Sequence, residues 1–193
     1  MSNKRNKVKF NIKNVHYALK TEDGTGYGVP VAVPGAVSVS LEAKGDLSPF
    51  YADGIVYYVT SSNGGYEGDL EMALIPDQFR LDVLKEEKDD NSVLVENANA
   101  QTKEFALGFD IDGDIRPTRF WFLNCTATRP STESSTTEDS KEPTTDKISL
   151  TCAPNSDGNM RAKTTEDTPD EVFTKWYDTV YLPAGVPGGG AGS

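Results

Sequence analysis

Hydrophobic and polar positions alternate along most of this chain, and the period is two. In VKFNIKNV, Val8, Phe10 and Ile12 alternate with Lys9, Asn11 and Lys13, the mark of a half-buried strand. AVSVSLEA repeats it with Val37, Val39 and Leu41 against Ser38, Ser40 and Glu42. GDLEMALIP carries it on Leu70, Met72 and Leu74, and KEFALGFDI on Phe105, Leu107, Phe109 and Ile111. GIVYYVTSS differs, because residues 55–59 are apolar without a break. A strand of that kind is expected to be covered on both faces. Gly- and Asp-rich stretches (EDGTGYG, AKGD, SSNGGYEGD, DGD) separate the runs and predict turns.

Two stretches have helical spacing. In IPDQFRLDVLKEEK, Pro76 suits a first helical position, and Phe79, Val83 and Leu84 follow on one face. In TPDEVFTKWYDTVY, Thr168 and Glu171 have the spacing of a capping box, with Pro169 at the first position. Val172, Phe173, Trp176, Tyr177 and Val180 form an apolar stripe that should dock on a sheet.

Residues 131–146 contain no Val, Ile, Leu or aromatic side chain, and are expected to be a mobile polar loop. They lie between two strand-like runs, 118–128 and 147–153. Pairing these as one antiparallel hairpin with position numbers summing to 277 sets Cys125 opposite Cys152 and Ala127 opposite Leu150. Trp121 and Leu123 would extend that apolar face, and Thr126, Thr128, Ser149 and Thr151 would form the polar one. Residues 183–193 read as a flexible Gly-rich tail.

A chain of 193 residues with 36% hydrophobic content can bury a core, and one domain over 1–182 is expected. The 17 glycines and 11 prolines fit many turns and few long helices. A net charge of −11 argues against a protein that grips nucleic acid, which needs a basic face. Neither a secretory leader nor a run of about 18 apolar residues is visible, so synthesis in a cytoplasm is expected. In that setting Cys125 and Cys152 should be buried free thiols.

Candidate chemistry is sparse. FDIDGDIRP places Asp110, Asp112 and Asp114 at alternate positions, but a calcium loop started at Asp110 has Ile115 where Gly belongs and Trp121 where the closing Glu belongs. The reading that remains is a β-turn on Asp112-Gly113, with the three acids exposed around it. His16 is the only histidine, which excludes clusters needing two imidazoles and leaves it a packed or surface residue. EDGTGYGVP lacks both the lysine and the helix of a phosphate loop. No catalytic, metal or cofactor site is expected.

The segment YGVPVAVPGAVSVSLEAKGDLSPFYADGIVYYVTSSNGGYEGDLEMALIPDQF (27–79) resembles the major tail proteins, or tail tube proteins, of long non-contractile-tailed phages of Gram-positive bacteria. NCTATRPSTESSTTEDSKEPTTDKISL (124–150) and TPDEVFTKWYDTVY (168–181) are similar to the same family, and the resemblance runs over about residues 7–182. It implies a mainly β fold: a β-sandwich of curved sheets with one or two short helices and a long hairpin, without the C-terminal immunoglobulin-like domain of some relatives. It also implies a virion protein whose hexameric rings stack into the tail tube around a tape-measure protein. Tail terminator and distal tail or baseplate proteins would be further partners. Double-stranded DNA would pass through the lumen without specific binding. Under that reading Phe50, Tyr51, Tyr57, Tyr58, Phe120, Phe122, Thr126 and Thr128 are candidate subunit-interface residues. Ser131, Glu133, Glu138, Asp139, Lys141 and Glu142 are candidates for a ring-stacking loop, and Asp110, Asp112 and Asp114 for acids at a turn or rim. The alternatives are a carbohydrate-binding β-sandwich using the aromatic patch SPFYADGIVYY, and a hydrolase, which lacks a visible acid–base pair.

Overall fold

The computed structural model describes residues 5–132 and 143–183. The chain is mainly β. Its strands are β1 (Lys9–Leu19), β2 (Val31–Ala32), β3 (Ala36–Lys44), β4 (Leu47–Ala52), β5 (Ile55–Ser61) and β6 (Gly65–Met72). They continue with β7 (Glu87–Lys88), β8 (Leu94–Val95), β9 (Phe105–Gly113), β10 (Thr118–Ala127), β11 (Asp146–Cys152) and β12 (Arg161–Lys163). One antiparallel sheet has the order β2-β1-β9-β10-β11-β6-β3, and β12 shares an edge of β10 with β11. Hairpins β4–β5 and β7–β8 stand apart as two-stranded sheets.

The main core lies on one side of this sheet. Val15 and Tyr17 of β1, alternate residues of β9, and Ile148 and Leu150 of β11 all join it. Ile12 from one end of the sheet and Val39 and Leu41 from the other pack against the same cluster, so the sheet is curled. Register shifts in β1, β3 and β10 supply the bulges that let it bend. Helix α1 (Asp77–Phe79) runs into a π-helical turn (Arg80–Leu84) and stops at Lys85, whose φ is 61°. It inserts Phe79, Val83 and Leu84 into the core, as the spacing predicts, although Pro76 sits at the N-cap rather than inside the helix.

The expected hairpin register holds where β10 and β11 meet: Cys125 faces Cys152, Thr126 faces Thr151, and Ala127 faces Leu150. Both cysteines are free and buried. The apolar face differs from expectation. Cys125 and Ala127 lie in the main core with Phe120 and Phe122, whereas Trp121 and Leu123 lie in a second cluster on the opposite side. The cause is a bulge between Phe122 and Cys125, where Asn124 has a φ of 44° and the β9–β10 register shifts. One extra residue exchanges the faces of everything beyond it. The Asn124 side chain holds the bulge, accepting from the Tyr27 hydroxyl at 2.8 Å and donating to the Pro154 carbonyl at 3.0 Å.

The second cluster joins Ala106, Trp121, Leu123 and Trp176, with Val172, Tyr177 and Val180 packed against it. The C-terminal stripe therefore docks on the sheet, but not as one long helix. Helix α2 spans only Asp170–Thr174, and the capping box is absent: Pro169 is the N-cap, and Thr168 Oγ1 accepts from the Thr165 amide instead. The sheet takes the carbonyls that a longer helix would use. Arg119 donates to the Phe173 carbonyl, and Trp121 Nε1 donates to that of Trp176 at 3.0 Å.

The β9–β10 turn is also displaced from its expected place. Pairing of Ile111 with Thr118 leaves 112–117 as the connection, and Gly113 still pairs with Lys9. Asn6 fills the turn, accepting from the amides of Ile115 and Arg116 and donating to the Arg116 carbonyl at 2.7 Å. Tertiary hydrogen bonds thus override the local Asp-Gly preference.

Trp121 lies directly opposite Gly108, and a Cβ at Gly108 would fall 2.7 Å from its ring. Gly108→Ala should therefore cost about 1–3 kcal/mol in urea unfolding. An unchanged midpoint would show that Trp121 is free to move.

Candidate assembly surfaces

Three features carry the chemistry of this surface. The first is the β4–β5 arm, residues 47–61. Phe50 opposes Tyr58 and Ala52 opposes Ile55, with a bulge at Tyr57 between them. Asp53 and Gly54 both have positive φ, 53° and 79°, the requirement of a type I′ two-residue turn. The arm prolongs the β3–β6 pair, joined to it by the Ser62 amide on the Asp46 carbonyl and the Gly64 amide on that of Lys44. It reaches roughly 20–25 Å beyond that base at ~3.3 Å per residue.

Its apolar residues are uncovered. Phe50, Tyr51, Tyr57 and Tyr58 are 61, 62, 71 and 63% exposed, and Leu47, Ile55, Val56 and Val59 are exposed beside them. Coverage on both faces, expected from the unbroken apolar run, is not supplied by the described residues of this chain. An isolated two-stranded hairpin is marginal in water, and contiguous exposed apolar surface of this kind is characteristic of protein contacts and ligand grooves.

The second feature is the outer face of β3, β6 and β11. Val39, Leu41, Leu70, Met72, Ile148 and Leu150 point inward, and the alternate positions form polar rows. Across these rows Ser40 and Ser149 flank Asp69, and Glu42 and Thr151 flank Glu67. Lys147 at 2.9 Å and the Ser149 hydroxyl at 2.7 Å hold the Asp69 carboxyl below its ordinary pKa. The Thr145 and Ser38 hydroxyls do the same for Glu71. Lys44 pairs with Glu67. Thr126 and Thr128 continue the polar face on the β10 side, their hydroxyls bonded to the carbonyls of Thr151 and Ser149.

The third feature is internal. Asp110 is not an exposed turn acid; it is 1% exposed, on the Ala106–Gly108 face of β9 beneath the C-terminal segment. Tyr177 donates to it, Asn14 donates at 2.8 Å, and Arg119, its cross-strand neighbour, lies 3.5 Å away as an ion pair. The Arg119 guanidinium stacks on Phe173 at 3.9 Å, and His16 stacks on Tyr177 at 4.2 Å. This network pins the C-terminal segment to the sheet. Alternation along β9 was the available signal, since Asp110 falls on the face opposite Phe109 and Ile111.

The other sequence candidates divide as follows. Phe120 and Phe122 are buried core, 7% and 3% exposed, so they are not on a subunit surface; the bulge turns them inward. Asp112 pairs with Lys13, and Asp114 accepts from the Lys7 amide at 2.8 Å. Ser131 is described and exposed, whereas Glu133, Glu138, Asp139, Lys141 and Glu142 lie outside the described residues. Among the described residues no group of three or more His, Cys, Asp or Glu is placed to hold a metal ion, and no helix is long and apolar enough to cross a membrane.

No protein-family model matches the chain, and no curated protein matches it. Among solved structures it is similar to a chain of the anti-feeding prophage baseplate, 10% identical at a TM-score of 0.48, over 83% of this chain and 96% of that one. It is similar to a chain in the sheath/tube terminator of an extracellular contractile injection system, 13% identical at a TM-score of 0.43, over 82% and 99%. A chain of the anti-feeding prophage tube-terminating cap is 16% identical at 0.41, over 82% and 93%. Likeness at this level carries no functional argument.

Burial and the bond to Asp110 push the Tyr177 pKa far up, and burial raises Tyr27 to about 12. A pKa raised on folding gives stability that is present below the unfolded value, ~10 for tyrosine, and is lost as pH rises through the folded one. Stability should therefore fall with increasing pH above ~10. Tyr177→Phe should cost about 1–3 kcal/mol at neutral pH by stripping a buried carboxylate of a donor. The same variant should flatten the alkaline slope by up to ~1.4 kcal/mol per pH unit. Urea unfolding across that range checks both, and an unchanged slope would contradict the buried hydroxyl.

Proposed function

We propose that this protein is a tail tube subunit of a phage with a long non-contractile tail, a structural virion component and not an enzyme. The observation that carries the reading is the 47–61 arm, apolar on both faces and uncovered by the described residues of its own chain. Copies of the same chain are the natural cover. Among the described residues β3 ends the sheet without a strand paired to its outer edge, and the arm grows from that same ribbon. An exposed edge of this length is an aggregation liability unless assembly uses it.

In this reading the chain forms one tube domain over 1–182 and assembles as hexameric rings, which stack around a tape-measure protein between terminator and distal tail proteins. Phe50, Tyr51, Tyr57 and Tyr58 enter the contact between subunits, with Thr126 and Thr128 at its polar margin. The outer face of β3, β6 and β11 lines the lumen. Glu42, Glu67, Asp69 and Glu71 there repel the DNA backbone, which carries a charge about every 1.7 Å, so that double-stranded DNA passes into the host without sticking. The protein is made in the bacterial cytoplasm and resides in the virion tail. The sequence resemblance over 27–79, which includes the whole arm, supports the same assembly.

Negative-stain microscopy of the purified full chain tests this. Rings or tubes are expected from the unchanged chain and none from Phe50→Ser/Tyr58→Ser. That variant should keep its monomer melting temperature, because both residues are exposed. Tubes from the variant, or a persistent monomer that binds polysaccharide through the arm, would contradict the reading.

A further inference from the structure

A cleft of about 660 Å³ opens where the N-terminal segment crosses the β9–β10 connection and the chain leaving β12. Arg5, Lys7, Lys9, Arg116 and Lys163 line it, against Asp112 and Glu166. In a chain of net charge −11 this is a local reversal of sign. Some of the charge is already matched: Arg5 pairs with Glu166 at 2.7 Å, Arg116 lies 3.6 Å from Asp170, and Asp112 is taken by Lys13. Lys7, Lys9 and Lys163 are exposed, and among the described residues none has a carboxylate at ion-pair distance. Asn6, bonded into the β9–β10 turn, fixes one wall in place.

The acidic counterpart in the sequence is the 131–146 segment. The cleft sits at the Thr118 end of β10, whereas the 131–146 segment follows the Ala127 end and rejoins the sheet at β11. About 30 Å of strand separates the two at ~3.3 Å per residue. That segment carries Glu133, Glu138, Asp139 and Glu142 against the single Lys141, while Asp146 at its end is held in β11, accepting from the Ile75 amide at 2.9 Å and lying 4.0 Å from Arg80. Ala127 and Asp146, the strand residues nearest it on either side, lie at the end of the sheet away from the cleft, so the acidic sequence and the basic cleft are complementary between copies set head to tail. A contact of that kind repeats without closing, as stacking requires.

We propose that the cleft is the docking site for the acidic 131–146 segment of a second copy of this chain. The axial placement of that copy rests on the tube reading; the binding itself does not. A labelled synthetic peptide of residues 131–146 is titrated into the full chain and followed by fluorescence anisotropy. Binding should be saturable and should weaken with added salt. It should be at least about ten-fold weaker for Lys7→Glu/Lys9→Glu/Lys163→Glu, and recover when the peptide carries Glu138→Lys/Asp139→Lys/Glu142→Lys. Circular dichroism confirms that the variant, changed only at exposed lysines, is folded. Equal binding of a scrambled peptide, or unchanged binding to the reversed cleft, would overturn the proposal. So would normal tubes from the reversed variant, which would leave the tube reading standing. Peptide binding by a chain that never forms tubes would uphold the cleft and remove the tube reading.

Discussion

Burial of the β9–β10 pair on both faces is the constraint on which the other elements depend. Phe105, Leu107, Phe109, Phe120 and Phe122 supply the main core on one side, and Ala106, Trp121 and Leu123 supply the second cluster on the other. Covering the first side requires the sheet to curl and the α1 turn to plug it. Covering the second requires the C-terminal segment to lie across the strands, held by Arg119, Asp110 and Tyr177. A buried carboxylate is tolerable only when it is paired and hydrogen-bonded, and Asp110 meets that condition through three partners.

The 47–61 arm lies outside this economy of burial. Its residues are as apolar as those of β9, yet none of them enters either core cluster. Because it extends the β3–β6 ribbon, its backbone geometry is set by the sheet while its side chains are left exposed. The polar rows on the outer face of that same ribbon have opposite character: the Ser149 hydroxyl and Lys147 hold Asp69, and the Thr145 and Ser38 hydroxyls hold Glu71, below the usual carboxylate range. One ribbon thus presents an exposed apolar tip and an acidic face.

Much of this was legible in the sequence. Period-two alternation located the long strands; matching apolar faces fixes the β10–β11 pairing only to within steps of two residues, and the structure adopts the register that sets Cys125 opposite Cys152. What could not be read was where one residue interrupts the alternation. The Asn124 bulge moved Trp121 and Leu123 to a second core and turned Phe120 and Phe122 inward. Two Asp-Gly pairs make the same point. Asp53-Gly54 forms the tight turn because nothing else claims its backbone, whereas Asp112-Gly113 stays extended because β1 and Asn6 do. Likewise the helix expected across 168–181 ends at Thr174, and the turns beyond it are tied to the sheet by Arg119 and Trp121, distant in sequence, which donate to the carbonyls of Phe173 and Trp176. The aromatic patch was recognisable, but its exposure was not, since apolar strands covered by their own chain and by a neighbour have the same composition.

The central claim is that the 47–61 arm is buried when the chain assembles with copies of itself. Amide hydrogen exchange, comparing monomer with assembled protein, tests it most directly. The account predicts fast exchange across β4 and β5 in the monomer and strong protection of the same amides after assembly, with β9 and β10 protected in both. Arm amides that exchange equally fast in both states would contradict it.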